Sequence, residues 1–259
     1  MKKAAARYKG RLAFFEVWNE ASMPWFWRGS ADDFLRIVQG ASKAFRSESP
    51  GTKILVSGFD RVNPFAEKVW KQAFKEYDVA SIHYETKHNN VRKARKVLDP
   101  LGGKPIWNSE SGGVGFNNFQ HGMGNPIKNI AENLARGVDR IFVYKYYVQN
   151  RQDPKLKKRL GMVMMGLEME LLNGKALFFR TASDMFDRAV FENEAVDGKR
   201  YEYRFRKGGG TLIVAWDKNG TELTLSGEVK RIVDAYGNAL PVEGPTLKLD
   251  EYPVFVLEK

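Results

Sequence analysis

Along the first 175 or so residues, short apolar runs alternate with stretches in which apolar side chains recur every three to four positions. The runs Leu12 to Trp18, Lys53 to Phe59, Val79 to Tyr84, Pro105 to Asn108 and Arg140 to Tyr147 each predict a strand. Between them, Phe34, Ile37, Val38, Ala41 and Phe45 share a helical face, as do Phe65, Val69, Ala73 and Phe74. Helices are also expected over Val91 to Leu98, after Asn125-Pro126, and over Lys158 to Leu172. The start signals agree: Ser30 offers an N-cap ahead of Asp32-Asp33, and Asn63-Pro64 reads as cap plus first helical residue. Strands alternating with helices through short connections imply a parallel sheet with helical crossovers.

From about residue 176 the pattern becomes strands only. Tyr201 to Arg206, Thr211 to Asp217, Glu222 to Leu225, Val229 to Asp234 and Tyr252 to Leu257 are β-rich, and Lys218-Asn219-Gly220 is a hairpin signal. Gly208-Gly209-Gly210 reads as a hairpin loop and not as a phosphate cradle, since no helix follows it. Residues 1–176 are thus expected to form an α/β domain and residues 177–259 a small antiparallel domain, a β-sandwich.

Composition narrows the class. With 43% hydrophobic and 13% aromatic residues, a sizeable core can form. No apolar run is long enough to span a membrane, and the N-terminus has no signal-peptide core; with no cysteine, this favours a reducing, cytoplasmic setting. A targeting signal belonging to a separate upstream portion would escape this reading. The formal charge of +11 raises a polyanion-binding alternative. Only Lys155 to Arg159 is a dense basic run, and no nucleic-acid motif accompanies it, so nucleic acid is not the expected partner.

Two strand ends share an unusual composition: Phe15-Glu16-Val17-Trp18-Asn19-Glu20 and Pro105-Ile106-Trp107-Asn108-Ser109-Glu110-Ser111-Gly112. Each is an apolar strand that closes in polar groups and a carboxylate. In parallel α/β folds the carboxyl ends of the strands form the ligand-binding rim, where Glu20 and Glu110 would face one substrate. Glycoside cleavage needs such a pair, one carboxylic acid to protonate the leaving oxygen and one carboxylate to attack or to activate water. Glu16, inside the first run, is expected to be a structural buried carboxylate paired with a base.

The segment Phe14 to Trp27, with Glu16-Val17-Trp18-Asn19-Glu20 near its start, resembles the fourth-strand motif of clan A glycoside hydrolases, closest to the family 39 β-xylosidase and α-L-iduronidase group and its family 5-like neighbours. The resemblance covers most of residues 8–150. It implies a retaining O-glycosidase with a covalent glycosyl-enzyme intermediate, Glu20 as acid/base, Asn19 on the sugar 2-hydroxyl and Glu110 as nucleophile at the end of strand seven. His83-Tyr84 matches the His-Tyr pair on strand six that lines such sites. It also implies a (β/α)8 TIM barrel, here incomplete, with strands four to eight present, because only about ten residues precede the Asn-Glu strand. The family's tryptophan on strand eight is replaced by Val143-Tyr144-Lys145-Tyr146-Tyr147, so Tyr146 or Tyr147 takes the sugar-stacking place.

An open five-stranded array exposes edges, so a partner is expected: a second copy, or a separate chain carrying the missing strands. Asn108 is a further substrate-binding candidate. Trp25 and Trp27 either form a subsite wall or pack their loop. His83, Glu85 and His88 match no strong metal-ligand spacing, and neither a metal nor a cofactor is expected. Against the hydrolase reading stands a non-catalytic carbohydrate-binding or assembly subunit derived from a shortened glycosidase.

Overall fold

The first strand, β1 (Phe14–Glu16), lies parallel to β2 (Lys53–Leu55), with Phe15 opposite Ile54. The helix between them, α2 (Ala31–Glu48), starts at a complete capping box. The Ser30 side chain accepts from the Asp33 N–H, and the Asp33 carboxylate accepts from the Ser30 N–H. The computed structural model describes residues 1–85, 89–112, 125–144, 163–165, 170–172 and 174–259. They divide into two units: 1–111 with 136–142, and 112–135 with 143–259.

In the first unit, α3 (Pro64–Gln72) follows β2 and is capped by the Asn63 side chain on the Ala66 N–H. Strand β3 (Ala80–His83) comes next, then α4 (Asn90–Leu98) and β4 (Ile106–Gly112). Strand β4 lies parallel to β3, and β5 (Arg140–Tyr144) completes a set in which β3, β4 and β5 are neighbours in that order. Parallel bridges Leu55–Val79 and Phe59–Ile82 link β2 to β3, so the array runs β1-β2-β3-β4-β5. A helix missed in the sequence pattern, α1 (Lys2–Arg7), precedes β1 and packs on α2.

The sheet has two unlike faces. One is covered by helices: Phe34, Val38 and Phe45 of α2, Val69 and Trp70 of α3, and Val91, Ala94 and Leu98 of α4 pack on Ile54, Val56, Ile82 and Ile106. The other face carries Phe14, Leu55, Val79 and Trp107. The Phe14 and Trp107 rings are 4.5 Å apart although three strand spacings separate β1 from β4, about 14 Å in a flat sheet. This face is therefore concave, and its apolar pairs form a floor beneath the carboxyl ends of the strands.

In the second unit six antiparallel strands run in the order β13-β12-β15-β10-β9-β8. They are β8 (Val190–Asp197), β9 (Arg200–Lys207), β10 (Gly210–Asp217), β12 (Val229–Val233), β13 (Ala239–Leu240) and β15 (Val254–Glu258). A ribbon of β11 (Glu222–Thr224) and β14 (Thr246–Lys248) covers one face, burying Leu223 and Leu249 with Ile213, Ile232 and Val256. Two helices belong to this unit, α5 (Pro126–Ala135) and α6 (Gly174–Phe186). On the opposite face, Phe186 of α6 meets Phe205 and Phe255.

Three expectations are corrected. Where a helix over Lys158 to Leu172 was expected, the described residues form two short antiparallel strands, β6 (Val163–Met165) and β7 (Glu170–Leu172). The helix lies further on, at α6, where only strands were expected, and its buried Phe178, Ala182 and Phe186 recur at helical spacing. Lys218-Asn219-Gly220 does turn the chain, with Gly220 at φ +74°, but it joins β10 to β11, which lie in different sheets. The Gly208-Gly209 pair makes the actual hairpin, both residues at positive φ, between β9 and β10.

Candidate active site

Glu20 follows β1 by four residues and is held by β2's extension. Its N–H donates to the Gly58 carbonyl (3.0 Å), Asn19 bridges Gly58, and the Ala21 N–H donates to the buried Ser57 hydroxyl (3.1 Å). These ties keep Glu20 in the left-handed region, φ +46°, which costs an L-residue about 1–2 kcal/mol. Tyr84 is the second left-handed residue of the site, at φ +51°. Its N–H donates to the Glu110 carbonyl (3.1 Å), and the preceding His83 N–H donates to Phe59 (2.9 Å). The buried Asn90 amide locks this corner from below, donating to the carbonyls of His83 (2.8 Å) and Asp60 (2.7 Å). Backbone strain retained by such surrounding bonds is characteristic of functional sites.

Glu110 is aimed by a β-bulge. Ile82 pairs with Asn108, but His83 pairs with Glu110, so Ser109 is an extra residue in β4. Without the bulge, Ser109 and Glu110 would point to opposite faces. With it both reach the His83 ring: Ser109 Oγ lies 3.1 Å from Nε2, and Glu110 Oε2 lies 3.9 Å from Nδ1.

The result is a cluster around a buried imidazole. His83 Nδ1 is 2.8 Å from Glu20 Oε1. One oxygen of Glu20, one of Glu110 and a His83 nitrogen all lie within 4.8 Å of one another. The Tyr84 hydroxyl donates to Glu110 Oε1. Burial, then the adjacent Glu110, raises the Tyr84 hydroxyl well above its ordinary pKa of 10.0, so it remains a donor. Behind the ring, Ser81 Oγ donates to Ser109 Oγ (2.7 Å) and Ser109 Oγ donates to Glu16 Oε1 (2.9 Å). Burial raises the Glu16 carboxyl above 4.5, while the hydrogen bond from Ser109 and the nearby His83 ring pull it back. Glycine is required at 58: a Cβ there would stand 2.1 Å from His83 Nε2.

The residues named from sequence divide clearly. Glu20, Glu110, His83 and Tyr84 converge, with Asn19 exposed beside Glu20. Asn108 does not join them: it is fully buried, in register with Ile82 on the helix-covered face. Trp27 is anchored in its loop, its Nε1 donating to the Ser30 carbonyl (3.1 Å) and its ring against Trp18 and Phe34. Trp25 stands in solvent, 70% exposed. Tyr146 lies outside the described residues, as do His88 and most of the glycine-rich loop after Glu110. Glu85 is buried away from this cluster, capping α4 through the Val91 N–H (2.5 Å) and pairing with Arg136 (3.4 Å). Ser109, Ser81 and Gly58 were not singled out from sequence, because each matters through a partner distant in the chain. The Glu20, His83 and Glu110 atoms could also surround a cation, but His83 and Tyr84 already engage both carboxylates.

Solved structures share this architecture. A family 39 glycoside hydrolase from the gut symbiont Bacteroides cellulosilyticus WH2 superposes with a TM-score of 0.74 over 100% of the chain at 14% identity. The chain shares the fold of that hydrolase over its own length. It spans 60% of that hydrolase's length. The same fold is seen in a GH30 endoxylanase from Clostridium papyrosolvens C71 (TM-score 0.63, 13% identity, 99% of this chain and 70% of that one). A GH44 xyloglucanase from Paenibacillus polymyxa matches with TM-score 0.62 at 10% identity, over 95% of this chain and 66% of that one. No family model and no curated protein matches the chain by sequence.

Proposed function

We propose that this chain is a retaining O-glycoside hydrolase, or the part of one that carries its catalytic carboxylates. The observation behind this is the close approach of Glu20 and Glu110, with oxygens within 4.8 Å at the carboxyl ends of parallel strands. Retaining enzymes hold the pair roughly 5–5.5 Å apart, whereas inverting ones leave about 6.5–9.5 Å for a water between them. Glu110, more exposed than Glu20 and accepting a hydrogen bond from the Tyr84 hydroxyl, attacks the anomeric carbon. Glu20 gives its proton to the leaving oxygen, and in the second half takes one from the water that releases the sugar. Asn19 is assigned to a substrate hydroxyl. Trp25, exposed on the loop after Glu20, is assigned to stacking on a sugar face. The endoxylanase and xyloglucanase neighbours support a polysaccharide or its fragments as substrate.

The test is hydrolysis of a panel of aryl α- and β-glycosides by the chain and by Glu20→Gln and Glu110→Gln, with the anomer of the first-formed product followed by NMR. Retention, with both variants slowed about 10³-fold or more, is expected. Unaltered hydrolysis in both variants contradicts the assignment. Binding of glycosides without turnover would select the non-catalytic carbohydrate-binding subunit instead. A completing partner, a second copy or a separate chain, belongs to the same proposal and is supported by half-exposed Phe142 on β5. Sedimentation as a strict monomer with full activity would remove that part.

A further inference from the structure

Glu16 has no part in the two-step reaction, yet it is a half-buried carboxyl tied to the acid/base through two intermediaries. We propose that Glu16 is a positioning residue: through the Ser109 hydroxyl it fixes a hydrogen on Nε2 of His83, leaving Nδ1 to share one proton with Glu20.

The derivation is a count of hydrogens along the chain of contacts. Ser109 Oγ donates its single hydrogen to Glu16 Oε1 (2.9 Å). The Ser109 oxygen then has only lone pairs left. One receives the Ser81 hydroxyl (2.7 Å), and the other faces His83 Nε2 (3.1 Å). Two lone pairs cannot bond one another, so Nε2 carries a hydrogen. The Gly58 backbone packs so close on this side of the ring that a Cβ there would stand 2.1 Å from Nε2.

With Nε2–H fixed, the 2.8 Å contact between Nδ1 and Glu20 Oε1 requires one proton, on the carboxyl or on the ring. The resting pair is therefore loaded with the proton that glycoside cleavage consumes. Had Nε2 been the acceptor, a neutral ring would donate from Nδ1 to a Glu20 carboxylate, and the acid would be missing. The groups that face the ring are Glu20 beyond β1, Tyr84 after β3, and Ser109 and Glu110 of β4, with both carboxylates on the Nδ1 side. Glu16 is the group that decides Nε2.

The catalytic consequence rests on the hydrolase reading; the tautomer does not, and two readouts separate them. The first is the imidazole ¹⁵N spectrum of the full chain at neutral pH, with His83 assigned by its loss in His83→Asn. The wild type is expected to show Nε2 protonated. Ser109→Ala removes the acceptor, and Glu16→Gln places an amide where Ser109 and the Gly58 N–H both need an acceptor. Both variants are expected to move the hydrogen to Nδ1, and Ser109→Thr to restore it. A bare Nε2 in the wild type, or Glu16→Gln with the wild-type tautomer, overturns the proposal. The second readout is the leaving-group dependence of kcat. Both variants are expected to lose about tenfold or more on glycosides with poor leaving groups, while dinitrophenyl glycosides change by less than about twofold. An equal loss on both substrate classes also overturns it. If Glu20→Gln spares the poor leaving groups, the hydrolase reading has failed, and the ¹⁵N spectra still decide the tautomer.

Discussion

His83 Nδ1 stands 2.8 Å from Glu20 Oε1, and the ring that makes this contact is buried to within 2% of complete. A single imidazole thus governs the carboxyl that the proposed reaction uses twice. Its position is set from every side, by the Gly58 backbone, by the Ser109 bulge and by Asn90 under its carbonyl.

Tyr84→Phe deletes the donor to Glu110 and leaves the ring packing alone. A hydrogen bond to a charged group is worth about 1.5–3 kcal/mol, so kcat/KM is expected to fall about tenfold to a hundredfold. Circular dichroism should be unchanged. A variant with wild-type kinetics would show that the Tyr84 hydroxyl does not serve the nucleophile.

Gly58→Ala drives a methyl against His83 Nε2 and Ser109 Oγ, at 2.1 and 2.7 Å before relaxation. Overpacking of this kind costs about 1–3 kcal/mol in urea unfolding. The ring must also move, so activity is expected to fall further than stability explains. Wild-type stability together with wild-type activity would contradict the packing described.

Asn90→Ala leaves the carbonyls of Asp60 and His83 without their donor and the Val62 N–H without its acceptor. Each buried group left unpaired costs about 1–3 kcal/mol, so a loss of at least about 2 kcal/mol is expected in denaturant unfolding. A change below about 0.5 kcal/mol would mean that this corner is not locked by the asparagine.

Glu16 and Glu85 both hold folded-state carboxyl pKa values above 4.5, in each case chiefly through burial. Between 4.5 and the raised value the folded chain binds more protons than the unfolded one, so stability falls as pH rises through that window. Glu16→Gln removes its share: unfolding free energy should decline less steeply with rising pH above 4.5 than in the wild type. An unchanged slope would place Glu16 in a less buried setting.

Much of this arrangement is written locally. Alternating apolar runs and caps such as Ser30 and Asn63 are enough to order the parallel strands, because a cap and its partner lie three residues apart. The carboxylates at the strand ends are visible for the same reason. The bulge at Ser109 is not, since it exists only in the register between β3 and β4. Gly58 is equally silent, its need for a missing Cβ arising from a histidine 25 positions on. Asn108, two residues before Glu110, faces the other way because the bulge at Ser109 falls between them. The misplaced helix near residue 174 has a different cause. Apolar runs without a cap leave helix and strand unresolved, and the contacts that decide, Phe186 with Phe205 and Phe255, come from strands that follow.

The most direct measurement is covalent trapping. Incubation with a panel of activated 2-deoxy-2-fluoro glycosides of pentose and hexose configuration, followed by mass spectrometry of the intact chain and its peptides, should yield one glycosyl adduct on Glu110 that is lost in Glu110→Gln. An adduct on another residue, or one that persists in Glu110→Gln, would contradict the assignment of Glu110 as nucleophile. No adduct from any member of the panel would contradict the retaining mechanism itself.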